Sequence, residues 1–238
     1  MSTIGQKEVN PYEHYGGKGV KIALLDSGVN MYHSHISERL SGVAFRVNRD
    51  GWIERHDDVR DYLGHGTAIA ALLKYVAPES EIVIGKIFDE KLTCYPSVLA
   101  RAIDWAVDEG VAIINLSLGM SERFDVVEES CKRAAEAGIV LVAAHNRQSE
   151  IVWPAQLDEV YAVEATEIGR EQWTFTEHSS IGACGFPREL AEPIQLYNLH
   201  GHSFAAAHFT AWVARYFEAE NVRGNEYVNR MIKQMKTV

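Results

Sequence analysis

The stretch Gly19-Val20-Lys21-Ile22-Ala23-Leu24-Leu25-Asp26-Ser27-Gly28 decides how this sequence is read. Lys21 is the one polar residue between Gly19 and Asp26. A near-continuous apolar run of this length predicts a strand buried on both faces, as in a parallel sheet. The run stops at a carboxylate. In open α/β sheets, functional groups collect at the C-terminal edge of a central strand. An Asp followed by a glycine turn is also common without any function. The rest of the chain therefore has to supply partners for Asp26.

Working outward, strand and helix patterns alternate. Gly64-His65-Gly66-Thr67 opens a helical pattern that runs from Ala68 to Val76. A strand follows from Glu81 to Phe88, then a helix from Ser97 to Glu109 with Leu99, Ile103, Ala106 and Val107 on one face, stopped by Gly110. Val111 to Leu118 reads as a strand, Asp125 to Ala137 as a helix ended by Gly138, and Ile139 to Ala144 as a strand running into His145-Asn146. Glu159 to Ala165 is a further strand. A loop-rich segment then leads to a helix over Phe204 to Arg215, and a last helix spans about Asn225 to Lys236. Residues 1–17 form a polar N-terminal extension, and residues 30–61 read as irregular. The alternation predicts an α/β fold, a mainly parallel sheet with helices on both faces. No repeat or linker interrupts it, so residues 1–238 read as one domain.

Composition narrows the function. The formal net charge of −10 at pH 7 argues against nucleic acid and anionic membrane as partners. Residues 1–10 contain no apolar segment of the secretory kind, and no apolar run reaches membrane-spanning length, which gives a cytoplasmic expectation. Cys94, Cys131 and Cys184 are too few and too scattered for a disulfide framework or a zinc site. His33 and His35 lack further ligands and read as loop histidines.

Gly201-His202-Ser203-Phe204 is a tight approach to one serine at a helix start, where free N–H groups and the helix dipole favour a negative oxygen. A serine there is more often a simple N-cap. With Asp26, His65 and Asn146, however, it completes a set of parts for acyl transfer. Ser203 would attack a carbonyl, His65 would shuttle the proton, and Asp26 would hold the imidazole tautomer. The Asn146 amide and the Ser203 N–H would bind the oxyanion.

In these blocks the chain resembles the subtilisin-like serine proteases. They are the strand ending in Asp26-Ser27-Gly28, Gly64-His65-Gly66-Thr67, Ile114-Asn115-Leu116-Ser117-Leu118-Gly119, Ala143-Ala144-His145-Asn146 and Gly201 to His208. They follow the family's order, Asp then His then Ser. The resemblance implies a sheet of about seven strands and endopeptidase activity on a peptide or protein substrate. It implies that Ser117, Leu118 and Gly119 form one edge of the substrate cleft, pairing with extended peptide. Thr93 and Cys94, within Lys91 to Tyr95, would form the other edge, Asp61 would face the S2 subsite, and Val152 would sit at the base of S1. Arg147, at the rim, would favour an acidic P1 side chain.

Three departures from the family pattern stand out: His202 in place of Thr, Ala207 in place of Pro, and His145 in place of Gly. The competing reading is a subtilisin-like pseudoprotease that binds a peptide or partner without cutting it. A nucleotide-binding domain is disfavoured, since neither glycine-rich phosphate loop is present. No cofactor or metal is expected. Leu72 to Pro78 runs directly into Glu79 and Glu81, with no Asn or Asp between Gly66 and Phe88 to build a calcium loop. Tyr227, Met231 and Met235 form an apolar stripe that must be covered, by the chain itself or by a second copy in a homodimer. A narrow-specificity intracellular processing enzyme, such as a leader peptidase, fits these features.

Overall fold

Strand β1 (Lys21–Asp26) sorts its side chains as a doubly covered strand must. Ile22 and Leu24 enter one core, Ala23 and Leu25 the other, and all four are fully buried. A computed structural model describes residues 11–146, 148, 152–176, 180–189 and 199–236 of the chain. In chain order the remaining elements are β2 (Ser41–Val47), β3 (Ile53–His56), α1 (His65–Val76), β4 (Glu81–Lys86), α2 (Pro96–Asp108), β5 (Ile113–Leu116) and α3 (Asp125–Glu136). Then come β6 (Val140–Ala144), β7 (Val160–Thr166), β8 (Trp173–Phe175), β9 (Ile181–Cys184), α4 (His202–Glu220) and α5 (Asn225–Lys236).

These build a nine-stranded sheet in the order β3-β2-β4-β1-β5-β6-β7-β9-β8. The strands from β2 to β9 in that order pair in parallel, seven in all, while β3 and β8 are antiparallel additions at the two edges. The expected count of about seven is thus the parallel body, and the two edge strands are the correction. The helices cover both faces, with α1, α4 and α5 residues in one core and α2 and α3 residues in the other. Helix α4 is buried on every side from Phe204 to Phe217, the mark of a central helix rather than an amphipathic surface one.

Residues 30–61 are not irregular throughout. Strand β2 pairs with β4, and β3 folds back on β2 across a turn in which Asn48 Oδ1 accepts hydrogen bonds from the Asp50 and Trp52 N–H groups. The signal was present in Asp50-Gly51, a hairpin turn pair between two short runs of mixed polarity. The loop-rich stretch before Ser203 likewise contains the β8–β9 hairpin. Ends shift elsewhere by one to three residues, α4 by more, since it starts at His202 and runs on to Glu220.

The stripe on α5 is taken up by the chain's own core. Met231 is buried there and Tyr227 packs against it, with Val228 fully buried beside them. The side chain of Met235 lies outside the described residues. The N-terminal approach to β1 is anchored on α4, where Glu218 Oε2 accepts three backbone N–H groups, from Gly16 at 2.8 Å, Gly17 at 2.6 Å and Lys18 at 3.0 Å. Removing that carboxylate leaves the three donors without it. Glu218→Ala should therefore cost about 2 kcal/mol in denaturant unfolding. An unchanged midpoint would show that the clamp is not needed to seat β1.

Candidate active site

The parallel strands β4, β1, β5 and β6 all end on one edge of the sheet, so Asp26 and the segments beginning at Ser117 and His145 meet there. His65 is the first residue of α1, after Gly64 in the left-handed region at φ 79°. Gly66 can have no side chain, because a Cβ would collide with the Gly28 carbonyl oxygen. Gly64 therefore serves the left-handed turn and Gly66 the close packing of α1 against the end of β1, which brings the imidazole to Asp26.

The His65 Nδ1 lies 2.8 Å from Asp26 Oδ1 and 3.0 Å from Oδ2. Asp26 is fully buried, and its Oδ1 also accepts the Ser27 N–H at 2.7 Å. The Ser27 hydroxyl accepts from Gly66 N–H and donates to Asp61, both at 2.9 Å. Asp61 accepts five hydrogen bonds in all, from Ser27, Leu63 and Gly64 on one oxygen and from the Thr67 N–H and hydroxyl on the other. Asp61, expected to face a substrate subsite, is half-buried in the loop before α1. Both its oxygens are engaged in bracing the loop that delivers His65.

Ser203 is the second residue of α4. Its hydroxyl donates to the Ser117 carbonyl at 3.1 Å, and the Ser117 hydroxyl donates back to the Ser203 carbonyl at 3.3 Å. No hydrogen bond joins Ser203 to His65, whose ring lies 6.0 Å from that of Phe204. Thr210 donates to Asn115 Oδ1 at 2.9 Å and Asn115 Nδ2 to the Ser117 hydroxyl at 2.7 Å, a buried chain from mid-α4 to Ser117. Sequence reading placed Asn115 only in a motif and did not find Thr210. Asn146 Oδ1 accepts the Gln148 N–H at 3.0 Å, which assigns the amide and leaves Nδ2 as its donor. His208 is buried in α4 and its Nε2 pairs with the Phe186 carbonyl at 3.0 Å; burial holds its pKa down, at about 4, so it is a neutral donor and not an acid–base group.

The sequence profile of the subtilase family matches residues 17–236. This chain is a subtilase. It is 30% identical over 219 residues to the major intracellular serine protease of Bacillus subtilis (strain 168), covering 83% of this chain and 68% of that one. It is 26% identical over 236 residues to subtilisin BL of Lederbergia lenta, covering 93% and 84%. Among solved structures, sphericase superposes with a TM-score of 0.74 at 21% identity, covering 92% of this chain and 84% of that one. The prenylagaramide maturation protease PagA superposes at 0.64 and 23% identity, covering 87% and 79%. This subtilase is accordingly a serine endopeptidase with the subtilisin-like fold.

The segments expected to border the cleft of this subtilase are placed unequally. Ser117 and Leu118 are buried at the end of β5, and Met120 exchanges backbone hydrogen bonds with Trp153 at 2.7 and 3.0 Å. Val152 N–H also donates to the Met120 carbonyl at 3.0 Å, so Val152 is tied to the Ser117–Gly119 segment. Thr93 is exposed in the loop between β4 and α2. Cys94 is half-buried, and burial pushes its thiol up to about 12, which removes it as a nucleophile. Arg147 lies outside the described residues. Among the described residues, no group of three or more His, Cys, Asp or Glu could hold a metal ion, and no helix is long and apolar enough to cross a membrane.

Burial lowers the pKa of His65, but the hydrogen bond and charge of Asp26, with the charge of Asp61, outweigh it and raise it above the ordinary 6.5. A raised folded-state pKa stabilises the protein below the unfolded-state value, and that contribution is lost as pH rises through the folded-state value. The neutral ring therefore predominates only at a pH above 6.5. An NMR titration of the His65 ring should show this, and in Asp26→Asn the midpoint should drop, because burial remains while the carboxylate is gone. The same midpoint in both proteins would contradict the coupling.

Proposed function

We propose that Ser203, His65 and Asp26 act as a catalytic triad for peptide-bond hydrolysis, with the Asn146 Nδ2 and the Ser203 N–H as oxyanion donors. The observation that carries this reading is the His65 Nδ1 contact with a fully buried Asp26, which leaves Nε2 of the neutral ring as the base. The Ser203 hydroxyl rests on the Ser117 carbonyl. An extended peptide pairing with Ser117–Gly119 brings an N–H to that same carbonyl, displacing the serine proton and freeing the hydroxyl to turn to His65. Catalytic hydrogen bonds often align only when substrate is in place. Ser203 Oγ then attacks the carbonyl carbon, its proton passes to His65, and the imidazolium returns it to the leaving amine. Water repeats the sequence on the acyl-enzyme.

Val152 in this reading shortens the S1 pocket, and Arg147, next in sequence to Asn146, favours an acidic P1 residue. The Bacillus subtilis relative is named an intracellular protease and PagA a maturation protease. The role proposed for this chain is that of an intracellular enzyme of narrow specificity that processes a peptide substrate; the first name supports the intracellular part of it.

Ser203→Ala and His65→Ala should each abolish cleavage of a peptide library, since the groups act as a unit. Asn146→Ala should lower kcat by about 100- to 1000-fold, the magnitude known for the oxyanion asparagine of subtilisin itself. Cleavage by Ser203→Ala at the parent rate would sink the assignment.

A further inference from the structure

Strand β7 receives two imidazoles. His145, immediately before Asn146, is 4% exposed, and its Nδ1 lies 3.3 Å from Glu164 Oε1. The same carboxylate oxygen accepts the Ser180 hydroxyl at 2.6 Å, and Ser180 is 2.6 Å from the Thr176 hydroxyl on the other arm of the β8–β9 hairpin. The next residue of β7, Ala165, donates its N–H to His202 Nδ1 at 3.1 Å, and His202 immediately precedes Ser203. The backbone follows the same plan, with His145 N–H on the Val163 carbonyl at 2.8 Å. Both residues depart from the family's small Gly and Thr, and both lead into a proposed oxyanion donor.

Because His202 Nδ1 accepts a hydrogen bond, its neutral ring carries the proton on Nε2. Burial lowers its pKa, Glu164 opposes this, and His145 and His200 add to the lowering. His202 therefore stays neutral where His65 works, and Glu164 faces His145 in the same cluster. The His145 side chain is 5% exposed and that of Glu164 16%, so their electrostatic interaction is screened less than at an open surface.

We infer that Glu164 is a positioning residue for the reaction: through His145 it fixes the backbone carrying Asn146, on the strand whose next N–H fixes His202 ahead of Ser203. The inference rests on the proposed oxyanion role of Asn146. Donors to an oxyanion act only where charge develops, so their displacement lowers kcat, while the peptide still binds along Ser117–Gly119.

The test is a double-mutant cycle on the full chain with a peptide substrate. Glu164→Gln should lower kcat about tenfold and leave KM within about twofold. In the Asn146→Ala background the same change should cost nothing further, because the donor it positions is gone. His145→Leu should match Glu164→Gln, and His145→Asn, which keeps a donor near the Nδ1 position, should recover most of that loss. If Glu164→Gln unfolds, as its thermal midpoint would show, the His145 pair decides alone. Equal losses in both backgrounds, a change confined to KM, or no recovery in His145→Asn would overturn the inference. An Asn146→Ala enzyme as fast as its parent would instead remove the oxyanion assignment, and this role for Glu164 with it.

Discussion

The site depends on a buried charge. Asp26 is fully enclosed at the end of the central strand, and a carboxylate out of water is costly unless its oxygens are met by donors. The donors named here, Ser27 N–H and His65 Nδ1, come from the turn after β1 and the first residue of α1. Burying Asp26 is tolerable only if α1 begins close against β1, which requires Gly66 to lack a side chain. Asp61 and Ser27 then hold the intervening loop. The arrangement that meets the charge is the one that orients the imidazole, so folding and preorganisation are one constraint here.

A second constraint acts from the other side of the sheet edge. Ser203 is carried by a helix buried all round, and the Thr210–Asn115–Ser117 chain ties that helix to β5 and the segment after it. Each of these groups is buried with a partner, so losing one would leave another unsatisfied. Rigid elements thus hold Asp26, His65 and Ser203, while the hydroxyl of Ser203 keeps a choice of partner.

Much of this was legible in the residues. The apolar run into Asp26 marked a parallel strand, and the glycines flanking His65 marked a tight helix start, because both patterns follow from local sterics and burial. The β2–β3 hairpin was missed although Asp50-Gly51 announced its turn, since the short mixed-charge runs around it mask the period-two pattern. The bracing hydrogen bonds of Asp61 were not read, because their donors include Ser27, 34 residues away, which spacing alone does not reveal. Thr210 and Glu164 were invisible for a different reason. Their meaning lies in contacts 95 residues away for Thr210 and 16 for Glu164 with Ser180, and only the assembled sheet supplies them.

The central claim is that the sheet edge assembles a nucleophile from Ser203 with the neutral ring of His65. Labelling of the folded protein with a fluorophosphonate, followed by peptide mapping in a mass spectrometer across a pH series, tests it most directly. The account predicts a single phosphonyl adduct on Ser203, formed at a rate that rises through a midpoint above the ordinary histidine value and is lost in His65→Ala. An unlabelled Ser203 in folded protein, or a rate indifferent to His65, would contradict it.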